Sequence, residues 1–171
     1  MCEVETGIMT VEDVDDVHAI ETACFPTPWS RRSFLNEVTG NTAARYVVLR
    51  EEGHVIAYAG MWLVIDEAHI TNIAVRPDRQ GMGYGERITK ALIQLAADCG
   101  MHWVTLEVRR SNTRAQALYH KLGFKDIGCR RNYYENKEDA LLMALEDLPE
   151  GDPENDPMLI REEEEEGEAR W

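Results

Sequence analysis

Apolar residues recur along the chain at two spacings, and each switch between them marks an element. Val11, Val14, Val17 and Ile20 fall near one helical face, behind Thr10 as a cap with Asp13 three residues on. Phe25-Pro26-Thr27-Pro28 predicts the end of that helix, and Ser30 caps a second, short one through Val38. Strand-like runs follow over Tyr46 to Arg50, Val55 to Ile65 and His69 to Val75, with a turn at Glu52-Gly53 between the first two. A third helix is expected from about Gly85 to Cys99, where Ile88, Leu92, Leu95 and Cys99 share a face and Gly100 is a good stop. Trp103 to Arg109 alternates as a strand. A fourth helix is expected from Asn112 to Gly123, with Ala115, Leu118, Tyr119 and Leu122 on one face. Two last strands lie around Lys125 to Tyr134 and Ala140 to Leu145. Hairpins mixed with crossing helices predict an α/β or α+β domain, a sheet covered by helices.

Composition bounds this picture. The chain has 171 residues, 44% of them hydrophobic, which suits one compact domain. The composition breaks at Pro149: from there to Trp171 ten acidic residues face two arginines, so that stretch holds −8 of the net −14. We therefore expect a folded domain over residues 1–148 and an acidic, disordered tail over 149–171. No apolar run approaches the roughly 20 residues of a membrane-spanning helix. The acidic start, Met1-Cys2-Glu3-Val4-Glu5, lacks the basic and apolar regions of a signal peptide. The expected location is cytoplasmic, with no membrane partner. A nucleic-acid binder would carry the opposite charge, whereas a basic partner suits this surface. The four cysteines form no CxxC pair and the five histidines no HExxH, so no metal site is expected.

The candidate chemistry begins after Thr71-Asn72-Ile73-Ala74-Val75. Arg76-Pro77-Asp78 leaves this strand, and Gly81, Gly83 and Gly85 precede the third helix. Glycines let backbone turn sharply and approach a ligand, and the free N–H groups of a helix start favour an anion. Arg76 and Arg79 add nearby positive charge. The spacing is GxGxG, neither the dinucleotide GxGxxG nor a Walker loop with GK[ST]. Alone, the three glycines fit an anion cradle or an ordinary turn.

The longer stretch from Asn72 to Gly85 resembles the acetyl-CoA signature of the GNAT superfamily of N-acetyltransferases, Q/R-x-x-G-x-G/A, with Gln80, Gly83 and Gly85 in its fixed positions. Asn112, Ala117-Leu118-Tyr119 and Leu122-Gly123-Phe124 resemble its second motif, and the likeness covers roughly residues 5 to 148. The resemblance implies a mixed, mostly antiparallel, bent central sheet with a V-shaped splay, flanked by about four helices. It implies acetyl-CoA as co-substrate, with the pantetheine added like a strand along Ile73, Ala74 and Val75. The pyrophosphate would lie on Gln80, Gly81, Met82, Gly83, Tyr84, Gly85 and Glu86, with Asn112 and Tyr119 completing the coenzyme site.

Acetyl transfer to an amine needs two proton transfers: one off the amine and one onto the departing sulfur. Along Trp103 to Arg109, Val104, Leu106 and Val108 point one way and Glu107 the other, towards the expected cleft. Tyr119 lies on the inward face of the fourth helix, where a phenol normally finds a polar partner. Glu107 is the candidate base, directly or through a water, and Tyr119 the candidate acid. Backbone N–H groups near Ala74 and Val75 are candidates for the oxyanion.

Leu106-Glu107-Val108-Arg109-Arg110-Ser111-Asn112, Pro28-Trp29-Ser30, Asp66-Glu67-Ala68 and Arg130-Arg131-Asn132-Tyr133-Tyr134 resemble stretches of the bacterial ribosomal-protein-alanine N-acetyltransferases, the RimI type. This resemblance implies the N-terminal alanine of a basic small-subunit ribosomal protein as acceptor. Trp29, Glu67, Tyr133 and Tyr134 are then candidates for the peptide groove. An α-amine also suits a single carboxylate base: with a pKa of about 8, roughly one in ten is neutral at pH 7, against about one lysine in 2,500. A broader N-terminal or lysine acetyltransferase, a small-amine acetyltransferase and a non-catalytic coenzyme A sensor remain as alternatives.

Overall fold

The structure, a computed structural model, describes residues 2–158. Seven strands form one sheet: β1 (Val4–Ile8), β2 (Ala44–Glu51), β3 (His54–Val64), β4 (Glu67–Val75), β5 (Trp103–Arg109), β6 (Lys125–Arg130) and β7 (Ala140–Leu145), in the order β1-β2-β3-β4-β5-β7-β6. All neighbours are antiparallel except β4 and β5. Four helices, α1 (Val14–Cys24), α2 (Arg31–Thr39), α3 (Tyr84–Asp98) and α4 (Thr113–Lys121), cover it.

The predicted caps form. The Thr10 N–H donates to Asp13 Oδ2 at 2.8 Å, and the Ser33 N–H donates to Ser30 Oγ at 3.1 Å. On one face of the sheet, Val14, Val17 and Ile20 of α1 and Phe34 of α2 pack with Tyr46, Val48 and Tyr58. On the other face, Ile88, Leu92, Leu95 and Ala96 of α3 pack with Leu49, Ile56, Val104, Leu106 and Met143. Every one of these residues is buried, so each face carries a separate apolar core.

The feature that creates a site is the pairing of β4 with β5. Only Glu67↔Trp103, Ala68↔Val104 and His69↔Thr105 are matched. Beyond them β4 continues on β3 alone and β5 on β7 alone, so the sheet opens into a V. A β-bulge falls at that point: Gly60 pairs with Asn72 and Met61 with Ile70, leaving Thr71 unmatched. The bulge reverses which side chains face which core. Ala68 and Ile70 point to the α3 side, whereas Ala74 points to the α1 side.

Three expectations about the elements change. The strand β1 was not foreseen; it exists by edge pairing with β2, from Val4↔Glu51 to Ile8↔Val47. The strand expected from Lys125 to Tyr134 stops at Arg130, and residues 131–139 form a loop in which Asn132 and Lys137 have positive φ. The disordered tail expected from Pro149 does not begin there. Gln94 Nε2 donates to the Glu150 carbonyl at 2.9 Å and the Asp152 N–H to Asp98 Oδ1 at 2.8 Å. Asp156 then pairs with Arg45 at 3.0 Å, both side chains largely buried. The remainder of that expected tail, residues 159–171, lies outside the described residues.

Candidate active site

Two clefts meet at the splay. The first, about 1150 Å³ and open to solvent, runs along the edge of β4 that β5 leaves unpaired and ends on the glycine loop. Ile73, Ala74, Val75, Gln80, Gly81, Gly83, Gly85, Glu86 and Asn112 line it, as expected from the sequence. Gln80 holds the loop back against the strand, its Nε2 donating to the Val75 carbonyl at 3.0 Å. Gly81 and Gly83 have φ of +78° and +88°, and Gly83 is the residue from which α3 starts. Side chains other than glycine resist this left-handed backbone, so the loop is shaped to turn its N–H groups inward. A strand edge with free backbone groups, followed by an N–H cradle on a helix start, fits an extended amide chain ending in a pyrophosphate.

Several expected contacts sit elsewhere. Met82 is 63% exposed on the outside of the loop. Tyr84 packs against the α3 core and is not in the cleft wall. Glu86 reaches the wall, but its carboxylate is held by Lys90 at 3.1 Å and Lys121 at 2.9 Å, and these lysines lower its pKa. It ties α3 to α4 rather than meeting an anion. The charge expected from Arg76 and Arg79 is largely neutralised. Arg76 pairs with Asp78 at 2.6 Å, and Arg79 with Glu51 at 2.9 Å and Asp78 at 3.1 Å.

The second cleft, about 1120 Å³, continues from the first on the α1 side. Cys24, Phe25, Ile73 and Asn112 line both, so the two are one passage through the V. Asn112 also builds the junction, since its side chain caps α4 by accepting from the Ala115 N–H at 3.2 Å. Glu107 and Tyr119 both line this second cleft. The β5 alternation holds: Leu106 and Val108 are core, and Glu107 faces the groove. Its side chain is only 10% exposed and pairs with Arg130 Nε at 3.2 Å. The Tyr133 hydroxyl bonds to the same carboxylate, which raises the phenol's pKa. Arg109, which flanks Glu107 in sequence, binds Glu135 at 2.5 Å and Glu138 at 3.3 Å instead.

Tyr119 comes through the splay from α4, with its ring 5.7 Å from Phe124. Its hydroxyl has no hydrogen-bond partner among the described residues, against the expectation for a buried phenol, and burial pushes its pKa up to about 12. The phenol is therefore a retained proton facing the passage.

Of the groove candidates, Trp29 and Tyr134 line the second cleft. Trp29 is fixed by Phe34 at 5.6 Å and Trp62 at 6.2 Å, and Tyr134 lies under the Arg109 guanidinium at 4.0 Å. Tyr133 reaches the site through Glu107. Glu67 does not belong to it. That residue begins β4 at the closed end of the V, six residues or about 20 Å from Ile73 at strand rise. The groove also holds residues that the sequence reading passed over. Glu21 is a buried carboxylate whose pKa burial raises and which accepts a hydrogen bond from the Tyr58 hydroxyl. Its place on the apolar face of α1, four residues after Val17, was the available signal. Asn72 and Glu135 join it in the wall.

Residues 14–124 match the profile of the Acetyltransferase (GNAT) family. The chain belongs to this family of acetyl-CoA-dependent N-acetyltransferases. It is 43% identical over 136 residues to a protein of Bacillus subtilis (strain 168), covering 79% of this chain and 90% of that one. It is 39% identical over 140 residues to the [ribosomal protein bS18]-alanine N-acetyltransferase of Haemophilus ducreyi, covering 78% and 94% of the two chains. Its structure resembles the crystal structure of the ribosomal-protein-S18-alanine N-acetyltransferase from Escherichia coli. The TM-score is 0.78 at 34% identity, over 88% of this chain and 98% of the other. Ard1 from Thermoplasma volcanium shares the fold, with a TM-score of 0.78 at 23% identity over 85% and 99% of the two chains.

Proposed function

We propose that this chain transfers acetyl from acetyl-CoA to the N-terminal α-amine of ribosomal protein bS18, at alanine. The relatives named for that reaction support the acceptor. The observation that carries the chemistry is the single passage through the V, with a carboxylate and a protonated phenol in its wall. The acetyl thioester would lie at Ile73, where the two clefts join, and the acceptor would enter between the Phe25–Trp29 segment and Tyr134.

Glu107 takes the proton of the arriving amine, directly or through one water. The amine nitrogen then attacks the thioester carbon, and the C–S bond breaks. Tyr119 gives its proton to the leaving sulfur. The unpaired edge of β4 offers backbone N–H groups to the carbonyl oxygen as it gains charge. The wall carries Glu21, Glu107 and Glu135, a negative field that suits an ammonium group and a basic peptide.

The test is thiol release from acetyl-CoA with a peptide carrying the bS18 N-terminus, beside a lysine peptide with a blocked N-terminus and a polyamine. Acetylation of the α-amine, located by mass spectrometry, is expected with the first peptide. Turnover confined to the lysine peptide or the polyamine would reject the acceptor. Unchanged kcat in both Glu107→Gln and Tyr119→Phe would reject the acid–base assignment.

A further inference from the structure

The coenzyme cleft contains a cation that the GxGxG loop does not account for. Arg114 stands exposed in the first turn of α4, on the wall facing the glycine loop. Its guanidinium spans the gap: a Cβ built on Gly81 would lie 3.6 Å from Arg114 Nη2. Three charged side chains line this cleft: Arg79, Glu86 and Arg114. Arg79 is held by Glu51 and Asp78, and Glu86 by Lys90 and Lys121. Arg114 alone of the three has no ion pair or hydrogen bond among the described residues.

An uncompensated guanidinium aimed at a loop of backbone N–H groups is a poor arrangement without an anion, because both sides present donors only. With a pyrophosphate between them, the N–H groups and the start of α3 take one side, and the planar guanidinium forks onto oxygens of the other. We infer that Arg114 clamps the coenzyme's pyrophosphate against the loop from the α4 side. This rests on acetyl-CoA as the co-substrate and adds the residue that supplies the cleft's net positive charge.

The experiment is calorimetric titration of the full chain and its Arg114→Ala and Arg114→Lys variants with coenzyme A and with 3′-dephospho-coenzyme A. Arg114→Ala is expected to weaken both ligands by the same factor, about tenfold or more, as for loss of a charge-assisted hydrogen bond. Arg114→Lys should recover part of the loss, and added salt should weaken the wild type more than Arg114→Ala. Unchanged affinity of Arg114→Ala for both ligands would overturn the clamp. So would a loss seen with coenzyme A but not with the dephospho form, since Arg114 would then serve the 3′-phosphate. Failure of the wild type to bind either ligand would instead strike at the coenzyme assignment itself.

Discussion

Glu107 and Tyr119 reach the passage from opposite sides of the sheet. Glu107 projects away from the core that its neighbours Leu106 and Val108 enter, and Tyr119 packs on that core from α4. Replacing Tyr119 by Phe keeps the ring packing and removes only the proton. We expect kcat to fall about 10²-fold, with affinity for coenzyme A nearly unchanged. An acid works only while protonated, and burial pushes this phenol up to about 12. The wild-type kcat profile should therefore show no falling limb from Tyr119 below about pH 11. A limb lost in Tyr119→Phe and centred near pH 8 to 9 would contradict that role. At this scale Glu107 was legible from strand alternation and Tyr119 from helical spacing. The neutralised Arg79 was not, because its partner Glu51 ends β2 and is brought to the loop only by the fold.

Among the elements, the loop over residues 131–139 decides the shape of the groove. Arg109 gathers it from β5, binding Glu135, Glu138 and Asn136, with its guanidinium over Tyr134. The Ser111 N–H adds a bond to Glu138 at 2.9 Å. Arg109→Ala should release this loop. The KM for the peptide is expected to rise about fivefold, the cost of ordering a freed segment on binding. Affinity for coenzyme A, measured by titration, should not move, since Arg109 does not line that cleft. Local pattern misread the region as a continuous strand because apolar and aromatic residues continue past Arg130. What ends β6 is long-range: left-handed backbone at Asn132 and an anchor 22 residues back in β5. The short β1, by contrast, is five residues with little apolar content, and only its partner makes it a strand.

Over the whole molecule, the last described segment closes the domain rather than trailing from it. Arg45 is 8% exposed and its guanidinium is divided between Asp156 and the carbonyls of Thr42 and Ala44. Asp156→Asn removes the countercharge of a buried cation. We expect a loss of about 3 kcal/mol in urea unfolding, with kcat retained at a temperature where the variant is folded. Truncation after Leu148 should lose at least as much, because it also removes the contacts of Glu150 and Asp152 with α3. A truncated chain as stable as the full one would show the segment to be dispensable. Composition marked this stretch as polar and acidic, which is true, but a polar segment can still dock where a buried arginine needs a partner.

The sequence by itself determined the elements, the glycine loop and the two side chains offered for proton transfer, because caps, periodicity and backbone freedom are local properties. The family resemblance extended this to the coenzyme and the V. Only the tertiary structure decided where the V opens: three β4–β5 pairs and a bulge at Thr71 set it, and no local spacing encodes a pairing that stops. It also decided which charges remain free to act. Glu67, Glu86, Arg76 and Arg79 looked available along the chain; in space Glu67 lies at the wrong end of its strand and the other three are already bound. Arg114 is left facing the loop uncompensated, because compensation depends on distance across the fold, not along the sequence.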